Sequence, residues 1–306
     1  MNEAQETARN LTRFGETRRV DAQWGLVVIS ILLGCALIAH GLEPSTPLAN
    51  YGRQTWVMEN GLPQNTVQAL VQTRDGFVWL GTEVGLVRFD GNSFQVFDKN
   101  STLALPGSDV RCLLETKDGA LWVGTSEGLA RWKDGVVKAF TTKDGLPGNG
   151  IRGLGEDQLG QFWVWTDEAQ ARFDSDRFIT YWTVDASGGG GANPSVGVIP
   201  ELGSLLQSSP NGEHVFANQG ALEVWRGIKV IARFAVGHEL PGSRIQVVFA
   251  DREGSLWIGT NGGLVRWAGG KLERLSVTDP LASASVLALM EDREGNIWVG
   301  TETGGL

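Results

Sequence analysis

The sequence predicts an all-β fold made of repeated four-stranded antiparallel sheets, and three observations carry the prediction. A Trp-centred motif recurs at nearly constant spacing. Glycine and tryptophan are abundant, at 42 and 12 of 306 residues, while tyrosine occurs twice. The apolar runs are short and bounded by Asp-Gly or Glu-Gly turns, as strands joined by hairpins are. The balance of 26 Lys and Arg against 35 Asp and Glu gives a net charge of -9, which excludes an electrostatic nucleic-acid binder. With 42% hydrophobic residues the chain can bury a sizeable core, so intrinsic disorder is excluded too. Cys35 and Cys112 cannot build a disulfide framework,, and Cys112 reads as a buried core thiol.

Taken in chain order, residues 1–24 form a short cytoplasmic segment carrying Arg9, Arg13, Arg18 and Arg19. The uncharged run GLVVISILLGCALIA follows at 25–39, and with its flanks residues 25–42 read as one N-terminal hydrophobic helix, a signal anchor or transmembrane helix,. The arginines precede the run and only Arg53 follows it closely, so the positive-inside rule leaves the N-terminus inside and the remainder outside. The expected location is the inner (cytoplasmic) membrane, single pass, with a periplasmic or extracellular remainder. The alternative is secretion after signal cleavage near Gly41, since Ala39 and Gly41 are small,. Leu32-Leu33-Gly34-Cys35 also has the outline of a lipidation box.

Residues 50–306 hold the repeat. The segments DGFVWLGT (75–82), DGALWVGT (118–125), LGQFWVWT (159–166), EGSLWIGT (253–260) and EGNIWVGT (294–301) align, and NGEHVFAN (211–218) is a degenerate sixth copy. Their turn glycines, Gly76, Gly119, Gly160, Gly212, Gly254 and Gly295, are 43, 41, 52, 42 and 41 residues apart. The one long interval contains the run SGGGGANP (187–194), a surface-loop insertion,. In the first unit, strands are predicted near 67–73, 77–82, 85–89 and 93–97. Four short strands repeated about every 42 residues are the signature of a β-propeller. Six blades are readable, the last one incomplete. The Trp runs do not alternate with polar residues, so both faces of each sheet must be covered. Trp79, Trp122, Trp163, Trp257 and Trp298 are therefore core, and Gly81, Gly124, Gly259 and Gly300 leave room for the neighbouring blade,.

The segment WVMENGLPQNTV (56–67), followed by DGxxWxGTxxGLxRFDG, resembles the two-component regulator propeller family, and the resemblance spans residues 50–306. It implies the extracytoplasmic sensor region of a hybrid histidine kinase or diguanylate cyclase. In that family, blades are followed by a Tyr-rich β-sandwich, a membrane helix and a cytoplasmic output. Here the sequence reaches Leu306 inside a blade unit, so a truncated member, its output domain missing, is expected. Residues 51–58 are the candidate outer strand of the last blade, but with a blade fewer than the family's usual seven the ring is expected to stay open, as an arc prone to association.

Polar residues converge on one face of such a ring. Gln64, Asn65, Asp109, Asn149 and Arg244 precede inner strands, while Glu83, Glu127, Glu168, Asn261 and Glu302 follow the Trp strands. The block Gln64, Asn65, Glu83, Asp109, Glu127, Asn149, Trp165, Glu168, Arg244 and Asn261 is the candidate ligand face,. The competing reading is that Asp and Asn are solvated turn residues. Trp165 replaces the usual glycine; it either stacks on a ligand or fills volume toward the next blade. The recurring Arg88, Arg131, Arg172 and Arg266 read as structural support, and the acid pairs Glu156-Asp157 and Glu291-Asp292 as turn chemistry. His40, His214 and His238 have no metal-ligand spacing,, and no phosphate loop or nucleophile elbow is present. No metal, cofactor or catalytic residue is expected.

The function expected is an extracytoplasmic ligand-sensing propeller module of a membrane signal-transduction protein, not itself an enzyme. Its partner is a small molecule, glycan or protein, with the membrane engaged through residues 25–42, no nucleic acid, and a homodimer as a candidate arrangement. The alternatives are a secreted or periplasmic propeller enzyme, a lyase or hydrolase, and a protein-interaction scaffold.

Overall fold

The computed structural model describes residues 47–100, 105–157, 159–183, 213–218, 221–226 and 229–306. The expected cytoplasmic segment, the 25–42 helix, the cleavage site near Gly41 and the glycine-rich insertion lie outside these residues. Among the described residues no helix is long and apolar enough to cross a membrane.

The described strands form antiparallel meanders in chain order. The first blade is β1 (Val67–Gln72), β2 (Val78–Thr82), β3 (Leu86–Phe89) and β4 (Phe94–Phe97). The second is β5 (Val110–Glu115), β6 (Leu121–Thr125), β7 (Leu129–Lys133) and β8 (Val136–Phe140). The third is β9 (Ile151–Glu156), β10 (Phe162–Thr166), β11 (Ala169–Asp174) and β12 (Arg177–Thr183). Three strands of the fourth are described: β13 (Glu213–Asn218), β14 (Ala221–Arg226) and β15 (Lys229–Ala235). The fifth is β16 (Ile245–Ala250), β17 (Leu256–Thr260), β18 (Gly263–Ala268) and β19 (Lys271–Arg274), and the sixth begins with β20 (Val286–Glu291) and β21 (Ile297–Thr301). The degenerate copy at 211–218 supplies β13, where Val215 takes the place of the motif tryptophan and is buried.

Each described inner strand starts with a β-branched residue, Val67, Val110, Ile151, Ile245 or Val286, that is almost fully buried. For Val110, Ile151 and Val286 the glycine of the preceding blade's second strand makes room. A side-chain carbon on Gly81 would lie 2.7 Å from the Val110 carbonyl, one on Gly124 2.6 Å from Ile151, and one on Gly259 2.6 Å from Val286. The core is thus divided into clusters shared by consecutive blades. Trp122 stacks on Phe162 of the third blade with centroids 4.0 Å apart, and Trp257 and Leu264 pack with Val286 and Leu289 of the sixth. Such clusters bury the apolar surface that one thin sheet could not cover alone.

The expected gap between the last and first blades is absent. A carbon on Gly300 would stand 2.8 Å from the Val67 carbonyl, β20 and β21 both lie against β1, and Met290 and Leu306 share one core with Val67, Val78 and Leu80. The sixth sheet is extended by the segment that precedes the first blade. Trp56 and Leu306 exchange two backbone hydrogen bonds of 2.9 Å, and the Trp56 ring stacks on Trp298 at 5.4 Å. The seam repeats the local fit of glycine to β-branched residue that joins the first blade to the second, the second to the third and the fifth to the sixth.

Two repeated hydrogen-bond devices hold the opposite face. Four of the five motif indoles donate to the first residue of their own turn: Trp79 Nε1 to Thr73 Oγ1 at 2.9 Å, and Trp163, Trp257 and Trp298 to Asp157, Asp251 and Asp292 at 3.0, 2.8 and 2.8 Å. The Trp163 indole helps to hold Asp157 below the usual carboxylate range. In the second device, the backbone N–H of the next turn residue donates to the last residue of the following blade's inner strand. These bonds run from Arg74 to Glu115, Lys117 to Glu156, Arg252 to Glu291 and Arg293 to Gln72. Burial pushes the Glu291 carboxyl upward, against the Arg252 N–H and charge that favour its ionised form. The acid pairs at 156–157 and 291–292 thus split their work: the first acid ties blades together and the second anchors a tryptophan.

The recurring arginines lie opposite the motif tryptophans, in register as Trp79 with Arg88, Trp122 with Arg131, Trp163 with Arg172 and Trp257 with Arg266. Arg131 and Lys133 bond Asp118 at 2.8 and 2.7 Å. Desolvation raises the Asp118 pKa, but the bonds from Lys133, Thr116, Ala120 and Arg131 outweigh it and hold the carboxyl well below its ordinary value. Cys112 faces Gly124 across β5 and β6, and burial pushes its thiol up to about 12, so it stays protonated and unreactive at neutral pH.

Candidate functional site

Strand alternation decides what meets the propeller axis. If the first residue of each inner strand is buried between blades, the second points the other way. That second position holds Gln68, Arg111, Arg152, Gln246 and Leu287, and all five line one cavity of about 490 Å³. Its lining comes from the first, second, third, fifth and sixth blades, with Thr66, Glu83, Asp109, Arg244 and Glu302 added from the adjoining loops. Among the described residues, three acids and three arginines therefore share the cavity.

Most of these groups are already engaged. Asp109 accepts from Gln68 Nε2 and from Arg111 Nε, both at 2.9 Å. Arg152 pairs with Asp167, whose own N–H donates 3.0 Å to the Gly150 carbonyl. Gln64 donates 2.8 Å to Glu83 and accepts 2.8 Å from its N–H. Gln246 Nε2 donates 2.8 Å to Ser285 Oγ, while its Oε1 is shielded from solvent and has no hydrogen-bond partner. The Glu302 backbone is fixed by N–H donation to the Ser285 carbonyl and by the Thr66 hydroxyl on its own carbonyl, each 2.9 Å.

Of the sequence-predicted face, Glu83, Asp109 and Arg244 lie on the cavity, and Gln64 reaches it through Glu83. The asparagines brace loops. Asn65 Oδ1 accepts 2.8 Å from Met58 N, and Asn149 Oδ1 accepts 3.0 Å from Thr142 N, seven residues back in both cases. Asn261 Oδ1 accepts from the N–H groups of Ser243 and Arg244 at 2.8 and 2.9 Å. Glu127 pairs across 3.9 Å with Lys99 on the surface, and Glu168 sits beside Gly148 with its N–H on Thr166 Oγ1; neither lines the cavity.

Trp165 is also off the cavity lining. It stands opposite Gly153 in β9, and a carbon on Gly155 would come 2.9 Å from its ring. In the first, second, fifth and sixth blades the glycine is on the second strand and the larger residue on the inner one, as in Ala69 opposite Gly81 or Val247 opposite Gly259. The third blade exchanges the two volumes. The axial residues Gln68, Arg111, Arg152, Gln246 and Leu287 stand on strands, outside the loops that carry most of the predicted face. The signal that finds them is their place directly after the buried β-branched residue of each inner strand.

Comparison with known proteins agrees with this architecture. The family described as two component regulator propeller matches residues 61–84, 104–127, 239–262 and 280–303. These stretches run from the inner-strand loop through the Trp strand of the first, second, fifth and sixth blades, so the third blade, with its exchanged volumes, falls outside them. No curated protein matches the chain in sequence. Among solved structures, one described as the extracellular domain of the hybrid two component system BT3049 from B. thetaiotaomicron is 20% identical, with a TM-score of 0.53, over 82% of this chain and 41% of that one. A streptogramin B lyase is 13% identical, with a TM-score of 0.58, over 79% of this chain and 92% of that one. At such identities the likeness is one of fold, and the chain spans about 41% of the length of the BT3049 domain. The repeated motif and the four-stranded blades make the described chain a β-propeller, and four of its repeats match the two component regulator propeller family.

Proposed function

We propose that the chain is an extracytoplasmic sensor module of a membrane signal-transduction protein, and that its ligand enters the axial cavity. The observation that carries this reading is the lining: side chains from five blades meet in one polar space of about 490 Å³, a size that suits a small molecule. The uncharged run at 25–39 with arginines before it supports export, and the repeat family supports a signalling context. In this reading the propeller binds and does not catalyse. A ligand shifts signalling only by favouring one of two arrangements, here through groups on several blades at once.

Two measurements test the proposal. An alkaline phosphatase fused after Leu306 is expected to be active, as an exported enzyme is; an inactive fusion counts against the extracytoplasmic reading. A solute library is then screened by thermal shift on the full chain and on Gln68→Ala and Arg111→Ala. A solute that raises the wild-type Tm and loses its effect in both variants supports the axial site. Solutes that act equally on all three proteins remove it.

A further inference from the structure

One wall of the axial cavity carries exposed charged groups that no described residue pairs. Asp109 is taken by Arg111 and Gln68, and Arg152 by Asp167. Arg244 and Glu302 remain: both line the cavity, and among the described residues neither side chain has a hydrogen-bond or ion-pair partner. Their backbones are nevertheless fixed. Arg244 N–H donates 2.9 Å to Asn261 Oδ1 and its carbonyl accepts 3.1 Å from Asn261 N; Glu302 is held by Ser285 and Thr66. On the same wall, Gln246 Oε1 is a shielded acceptor lacking a donor. A buried acceptor left unpaired is costly, and a ligand N–H would relieve it.

We infer that the cavity takes a zwitterionic ligand of the amino-acid or short-peptide class, its carboxylate on Arg244 and its ammonium shared by Glu302 and Gln246 Oε1. This rests on the reading that the axial cavity is the ligand site. The argument is one of charge balance. Among the described lining residues Arg244 and Glu302 are opposite charges left over from the pairs of Asp109 with Arg111 and Arg152 with Asp167, so a purely anionic or cationic solute would satisfy one and be repelled by the other. A zwitterion makes charge-assisted bonds with both. A neutral sugar fits less well, because among the described residues the lining offers Ile151 and Leu287 as its apolar contacts and no aromatic ring to cover a sugar face.

The test uses the purified full chain and calorimetric titration with free amino acids and a set of alanine-containing dipeptides. At least one is expected to bind. N-acetylation of that probe weakens binding by about tenfold or more in the wild type and has little further effect in Glu302→Gln; amidation of its carboxylate behaves likewise toward Arg244→Gln. If no amino acid or dipeptide binds, or if acetylation and amidation change nothing, the inference is overturned. Maltose and citrate serve as controls. Binding of either one in place of the peptides, lost in Gln68→Ala, overturns the zwitterion and keeps the axial site. A dipeptide that binds Gln68→Ala, Arg244→Gln and Glu302→Gln as well as wild type overturns both.

Discussion

Arg293 in the sixth blade reaches back 219 positions to donate 2.8 Å from Nη1 to the carbonyl of Arg74 in the first, and its Nη2 donates 2.9 Å to the carbonyl of Thr73. The same clasp is made by Arg252 on Arg293 and by Arg74 on Lys117. A repeated local device therefore continues across the seam where the two ends of the ring meet.

Arg293→Ala is expected to lower stability by about 1 kcal/mol, the usual net worth of hydrogen bonds lost from an exposed cation to two carbonyls. The backbone bond from Arg293 to Gln72 survives the change. Urea denaturation checks this, with Arg293→Lys as the intermediate case. An unchanged midpoint would show that the clasp orients the turn without stabilising it.

Gly300→Ala sets a methyl group 2.8 Å from the Val67 carbonyl and is expected to cost about 1–3 kcal/mol as overpacking. Gly76→Ala provides a contrast, because space there is open and the residue has a φ of 96°; its cost comes from the backbone alone. Thermal melts of the two variants separate crowding at the seam from strain in a turn.

Trp165→Gly removes the ring that covers Gly153 and Gly155 and is expected to cost toward the lower end of about 3–5 kcal/mol. Returning volume to the inner strand with Gly153→Ala and Gly155→Leu should recover part of that loss. The same two changes beside an intact Trp165 should destabilise, since Gly155 has 2.9 Å of clearance. A double-mutant cycle measures this sign reversal; additive effects would refute the volume exchange.

Stability is expected to fall as the solution is acidified, in part through Asp118. Its carboxyl is held below the ordinary value by Lys133, Thr116, Ala120 and Arg131 against desolvation, so its contribution is present above the unfolded pKa of about 3.9 and lost as pH falls toward the folded value. Asp118→Asn should flatten that loss in Tm measured across the acid range, while costing about 0.2–1 kcal/mol at neutral pH because the pair is half exposed,. Glu291, which burial shifts upward, has the opposite sign. Its contribution is complete below its unfolded value and declines as pH rises through the folded one, so Glu291→Gln gains on wild type toward neutral pH.

The sequence made the blades legible because each is local: strand, Asp-Gly turn, Trp strand and hairpin lie within one period, and β1 to β4 fall within a residue or so of their expected bounds. The seam was not legible in the same way. The Trp56 to Leu306 pair joins distant residues, and no periodicity reports on such a partner. At the site, the loop acids and Arg244 could be read from their positions between strands, but Asn65, Asn149 and Asn261 turned inward to the backbone. An asparagine has the same composition signal whether it faces a ligand or braces a turn. Trp165 was visible as an exception; its explanation lay in Gly153 and Gly155, two strand glycines that each look unremarkable alone.

The pairing of Trp56 with Leu306 also sets an order of events during synthesis. Residues near 56 leave the ribosome long before their partner exists, so the first blade can form while the strand that precedes it must wait, its tryptophan uncovered, for the rest of the ring. Long-range closure of this kind is the slow part of folding, and the waiting interval is when an unpaired strand is open to wrong partners. Fidelity at the seam is therefore decided only once Leu306 has been made, and chaperone demand should follow the time between the two partners rather than the stability of any one blade.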